Sequence, residues 1–92
     1  MTDAIDVTDN RAEHRYELPT DAGPAIAVYE LDGGTITFTH TIVPEAAAGH
    51  GVGSRLIAGA LADAQGRGLK VVPQCPFVRA YLAKHPDAAE LA

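Results

Sequence analysis

The chain has 92 residues, 47% of them hydrophobic and 21% charged. That suffices for one small core burying roughly 60 to 65% of the unfolded surface, and it excludes a second domain and a disordered chain. A net charge of −5 with only seven scattered Lys and Arg residues argues against a nucleic-acid partner and favours basic or amine-bearing ones. A single cysteine excludes an internal disulfide, and no Cys/His spacing suits zinc, so no metal is expected. With no basic and apolar leader and no run of ~18 apolar residues, no membrane is expected and the location reads as cytoplasmic.

In chain order, Ile5 and Val7 alternate with Asp6 and Thr8, and Arg15-Tyr16-Glu17-Leu18 alternates again after Asp9-Asn10, so the opening reads as two short strands around a turn. Pro19 to Pro24 is a turn cluster, Ala25 to Leu31 a strand, and Asp32-Gly33-Gly34 a hairpin connection. In the next strand, Thr35 to Val43, strict alternation puts Ile36, Phe38, His40 and Ile42 on one face and four threonines on the other. His40 on an apolar face is either a hydrogen-bonded core residue or a site residue re-aimed by a β-bulge. The run Ala46-Ala47-Ala48 reads as mobile. Val52, Leu56, Ile57, Ala60, Leu61 and Ala64 then recur at helical spacing. Gly59 inside that helix costs about 1 kcal/mol relative to Ala, which close packing would explain. Gly66 and Gly68 end it. Leu69 to Val72 reads as a strand parallel to Thr35–Val43 through a βα crossover. Pro76 opens a second helix with Phe77, Val78, Tyr81 and Leu82 on its buried side, His85-Pro86 stops it, and Asp87 to Ala92 reads as a frayed tail.

Between strand and first helix lies Ala48-Gly49-His50-Gly51-Val52-Gly53-Ser54. A Gly-rich turn opening into a helix presents free N–H groups and the positive end of a dipole, and so suits an anion such as a pyrophosphate. A dinucleotide fingerprint would need Gly at Ser54 and a longer βαβ frame, and a Walker loop would end in Gly-Lys-Ser/Thr. Otherwise the glycines simply shape a tight turn.

The loop resembles the acyl-CoA pyrophosphate loop of the GNAT superfamily of N-acetyltransferases, Gln/Arg-x-x-Gly-x-Gly/Ala, with Ala48 departing from it. The strand order ββββ-α-β-α is similar to a shortened GNAT fold, an α/β (α+β) class with an antiparallel meander followed by a β-α-β-α unit and two parallel splayed strands. Four segments resemble the small YjdJ-type subgroup: His40-Thr41-x-Val43-Pro44, Gly49-x-Gly51-Val52-Gly53, Gly68-Leu69-Lys70-Val71-Val72-Pro73, and Cys75-Pro76-Phe77-Val78-x-x-Tyr81-Leu82-x-Lys84-His85-Pro86. The resemblance implies one GNAT-like domain over residues 1–92 with a core at about 7–86. Acetyl-CoA is the implied co-substrate, held by Thr41, Ile42 and Val43 and by Gly49, His50, Gly51, Val52, Gly53 and Ser54. An acid is expected in that subgroup where this chain has Ile42, leaving Glu45 as the next carboxylate in reach.

Transfer of acetyl to an amine requires a deprotonated nucleophile and a stabilised leaving thiolate. Cys75, His40 and Tyr81 are the candidate catalytic side chains. Cys75 before Pro76 is an N-cap whose helix dipole favours thiolate, or else a packed core thiol. Tyr81 resembles the tyrosine that protonates the CoA thiolate in GNAT enzymes, or else it packs. The expected function is an acyl-CoA-dependent N-acetyltransferase for an unidentified amine; the alternative is a non-catalytic acyl-CoA-binding or regulatory module. So thin a domain leaves room for a homodimer that completes the acceptor cleft.

Overall fold

The computed structural model describes residues 7–49 and 51–92. Ile5 and His50, given roles above, lie outside them. Five strands form one sheet in the order β1 (Thr8–Asn10), β2 (Arg15–Leu18), β3 (Ala25–Asp32), β4 (Thr35–Ile42), β5 (Lys70–Pro73). The first four run antiparallel and β5 runs parallel to β4, reached through helix α1 (Val52–Gly66); helix α2 (Pro76–Lys84) follows. This is the expected α+β architecture of a shortened GNAT fold. Local chemistry sets its corners. Asn10 caps the turn between β1 and β2 by accepting from the Glu13 N–H, and Gly33, at φ 62°, makes the tight reversal into β4.

Both helices cover one face of the sheet. Tyr16, Leu18, Ala25, Ala27, Tyr29, Ile36, Phe38 and Val71 meet Leu56, Ile57, Ala60, Leu61 and Ala64 of α1 and Val78 and Leu82 of α2 in one buried cluster. The larger side chains among these contribute about 1.5–3 kcal/mol each on burial. Gly59 fits the expectation of close packing, because a Cβ there would lie 2.6 Å from Cγ2 of Val7. At the far edge Tyr16 donates to Asp63 at 2.6 Å and Tyr29 to Asp9 at 2.5 Å, while Arg67 bridges Asp9 and Asp63. Burial, reinforced by Asp9, pushes the Tyr29 hydroxyl up to about 12. The opposite face of the sheet carries no buried residue among those described.

Four expectations need correction. Tyr29 opposes Phe38 while Val28 opposes His40, so Thr39 is an extra, bulged residue on β4. The alternation of side chains therefore changes phase: Thr41, opposite buried Ala27, joins the helix face, and His40 and Ile42, opposite Val28 and Ile26, turn to the open face. Second, Phe77 is 42% exposed rather than buried. Third, the end of the chain is docked rather than frayed. Pro86–Ala88 forms a 3₁₀ turn, the Val71 N–H donates to the Glu90 carbonyl at 2.8 Å, and the Ala92 N–H donates to the Val71 carbonyl at 3.0 Å. These bonds satisfy backbone groups on the outer edge of β5 that would otherwise face only water. Fourth, Ala46 and Ala47 belong to a 3₁₀ turn, Glu45–Ala47, with Ala47 buried.

Candidate active site

The site forms where β4 and β5 part. Their pairing runs from Thr35 opposite Lys70 to Phe38 opposite Pro73, and one further bond, from the Cys75 N–H to the Phe38 carbonyl at 2.9 Å, closes it. Beyond this point the chain after β5 turns into α2 at Pro76. Among the described residues, Thr39 to Ile42 then have no strand beside them on that edge. The bulge at Thr39 sits at this fork and brings Thr41 round to the helix side.

There Thr41 Oγ1 lies 3.2 Å from Cys75 Sγ, bringing together two residues 34 positions apart in the chain. Cys75 is the N-cap of α2, with extended backbone and Pro76 in the first turn, and only 4% exposed. Its sulfur makes no formal capping bond. Burial pushes the thiol up, but the Thr41 hydroxyl and the N–H groups of Val78, Phe77 and Thr41 together outweigh it and hold the thiol below the ordinary range. Position at a helix start and a hydroxyl donor thus favour thiolate in a nearly dry setting.

The second part of the site is the start of α1. Gly49 and Gly51 have φ of 85° and 74°, a region that L side chains rarely adopt, and a Cβ at either would meet nothing within 4 Å. Backbone conformation, rather than crowding, demands glycine there. Gly51 caps α1 without a side-chain bond, and the first intrahelical bond is Arg55 N–H to the Gly51 carbonyl at 3.0 Å. The N–H groups of Val52, Gly53 and Ser54 precede it and have no intrahelical acceptor. Gly53 has a different reason to be glycine: its Cβ would fall 2.5 Å from Cζ of the Phe77 ring, which lies over the first turn of α1.

Two cavities flank that turn. One, about 400 Å³, is lined by Thr20, Asp21, Ala22, Ala46, Ala47 and Val52. The other, about 260 Å³, lies between the helices and is lined by Ser54, Phe77, Ala80, Tyr81, Lys84 and His85. Neither cavity has Cys75 in its lining.

The structure therefore joins Thr41 to Cys75 and gathers Val52, Gly53 and Ser54 at one helix start, with Val43 packed against the core. It separates the other candidates. His40 faces the open side, its Nδ1 3.1 Å from Thr39 Oγ1, and Ile42 beside it is 55% exposed. Tyr81 belongs to the smaller cavity, its ring 4.4 Å from that of His85, and no described contact links it to Cys75. Glu45 opens the 3₁₀ turn and has no ion pair among the described residues. Sequence reading missed the Thr41 hydroxyl as a partner of the thiol.

A bulged strand, a parallel neighbour splaying from it and a helix opening from a Gly-rich turn define an acetyltransferase-type α+β domain. The family model described as GCN5-related N-acetyl-transferase matches residues 15–91, and the chain belongs to that family. A search among curated proteins found no match. Among the described residues no cluster of His, Cys, Asp or Glu could hold a metal ion, and no helix is long and apolar enough to cross a membrane.

Proposed function

We propose that this chain is an acyl-CoA-dependent N-acetyltransferase of the YjdJ type that acetylates an amine. The observation that carries this reading is the Thr41–Cys75 pair at 3.2 Å in the fork between β4 and β5, on the same side of the sheet as the free N–H groups that open α1. The residues fit the cofactor: a helix start without a side-chain cap suits a pyrophosphate, and an unpaired strand edge at Thr39 to Ile42 suits the amides of a pantetheine arm.

Acetyl-CoA supplies an acetyl group activated as a thioester. The N–H groups of Val52, Gly53 and Ser54 bind its anionic oxygens, and backbone groups of Thr41 to Val43 align the arm. The Cys75 thiolate attacks the acetyl carbon; a new S–C bond to Cys75 forms as the bond to the CoA sulfur breaks, and CoA leaves as a thiolate that takes a proton from solvent. An amine entering the fork then attacks the acetyl carbon on Cys75. The amine loses its proton to solvent, and the S–C bond breaks to restore the thiolate. One acetyl-CoA and one amine give one N-acetyl amine and one CoA thiol.

A second reading, an acyl-CoA-binding module without turnover, is favoured by Ile42, which stands on the exposed face where an acid is expected. One set of measurements decides. Intact-mass analysis after acetyl-CoA alone should find one acetyl group, lost in Cys75→Ala, and a thiol-release assay should find turnover with at least one member of an amine panel. Calorimetry should show acetyl-CoA affinity reduced more than tenfold in Gly51→Val with the far-UV spectrum unchanged, since a branched side chain at φ 74° distorts the anion turn. Binding without acetylation or release would establish the module, and absence of binding would refute both readings.

A further inference from the structure

The face of the sheet turned away from the helices is apolar where a solvated face would be polar. An antiparallel sheet with one wet side alternates apolar-in and polar-out. On β3, β4 and β5 the outward positions instead include Ile26, Val28, Ile42 and Val72. Ile42 is 55% exposed, and no described residue on that face is fully buried. The register sets these side chains side by side: Ile26 lies abreast of Ile42, and Val28 abreast of His40. At the far end of the same face Asp32, Thr35 and Lys70 lie abreast.

This pattern is self-complementary. A twofold axis parallel to the strands and midway between β3 and β4 exchanges the two strands, so Ile26 of each copy faces Ile42 of the other, and Val28 faces His40. The same operation brings Lys70 of one copy beside Asp32 of the other. Both charges are available for this contact. Asp32 makes no ion pair among the described residues, and the pair of Lys70 with Glu90 has both ends more than half exposed, so it holds Lys70 weakly. The area suffices as well. The chain exposes 5346 Å² in all, and one broad face carries roughly a sixth of that, so two copies covering most of the face bury more than the ~1,000 Å² that a specific interface requires.

We propose that this open face is the contact surface between two copies of the chain, with Ile26 and Ile42 of both copies at its centre and Asp32 opposite Lys70 at its rim. The second copy then lies over the stretch Thr39 to Ile42 of β4 and walls the fork on its open side. The pairing draws on burial of apolar surface and does not depend on the acyl-CoA reading.

The test is the molar mass in solution, by light scattering and sedimentation velocity, over a dilution series of the full chain and its variants without added ligand. The unaltered chain should reach twice its 9.6 kDa mass at high concentration and dissociate on dilution. Ile42→Asp should weaken the pair more than about tenfold, because it sets a carboxylate against an apolar partner. Leu31→Asp should leave the pair intact: Leu31 is 45% exposed, but it opposes Ile36 on the helix side. Asp32→Lys, an exposed change at a strand end, should weaken the pair roughly fivefold through its two symmetric contacts, and adding Lys70→Asp should restore it. If Ile42→Asp loses its native circular-dichroism spectrum, the exchange of Asp32 and Lys70 decides alone. A single-chain mass at every concentration overturns the inference and leaves the face to a different partner. Undiminished pairing in a folded Ile42→Asp, equal loss in Leu31→Asp, or no recovery in the double variant overturns it by moving the contact elsewhere on the molecule.

Discussion

Replacing Thr41 by valine keeps a β-branched side chain on β4 and deletes only the hydroxyl that stands 3.2 Å from the Cys75 sulfur. A hydrogen bond to an ionised group contributes roughly 1.5–3 kcal/mol, and every ~1.4 kcal/mol is a factor of ten in an equilibrium. Solvent offers little substitute, because Cys75 is 4% exposed. Thr41→Val should therefore lower the thiolate population about tenfold or more at any pH below the thiol's titration, while the N–H groups at the start of α2 retain the rest of the effect. The assay is the rate of iodoacetamide labelling against pH, which is proportional to thiolate. The variant should label at least about tenfold more slowly near neutrality. At high pH, where both proteins are fully ionised, the two rates should converge. A ratio that stays constant across the whole pH range would refute the reasoning, because it would mean that the hydroxyl governs access to the sulfur and not its charge.

Three further outcomes follow from the packing. Burial pushes the Asp63 carboxyl up, but hydrogen bonds from Tyr16 and Arg67 outweigh it and hold the group below its ordinary value, so the stability it contributes is present above the unfolded carboxylate range, about pH 4, and is lost as pH falls through the lower native value. Asp63→Asn should lower the melting temperature at pH 7 and flatten its fall below about pH 4; an unchanged acid slope would remove Asp63 from the account. Gly59→Ala gains about 1 kcal/mol of helix propensity but puts a Cβ 2.6 Å from Val7, an overpacking that costs roughly 1–3 kcal/mol. It should therefore lower thermal stability, and a raised melting temperature would show that Val7 yields without cost. Removing residues 90–92 exchanges two backbone bonds at Val71 for bonds to water, which should cost about 1–3 kcal/mol in urea denaturation, and an unmoved midpoint would mean that the docked end adds nothing to stability.

Local patterns in the chain were enough to place the strands from Arg15 onward and both α-helices, because alternation in Ala25 to Leu31, helical spacing from Val52 to Ala64, and Gly or Pro at the breaks are properties of neighbouring residues; Asp9 and Asn10, which read as a turn, instead pair with Tyr16 and Arg15 in β1. The same holds for Cys75 as an N-cap and for a turn shaped by Gly49 and Gly51 before the first helix. What local pattern cannot express is phase and partnership. Thr39-His40-Thr41-Ile42 alternates equally well on either face, and only its register against Val28 and Tyr29 of β3 inserts the bulge that turns His40 outward and Thr41 toward the sulfur. The packing of Phe77 on Gly53 and the docking of Glu90 to Ala92 on β5 are likewise contacts between segments distant in sequence. Such contacts form only where burying apolar surface or pairing a backbone edge in the assembled fold outweighs the cost of ordering the chain, a balance that no single segment contains.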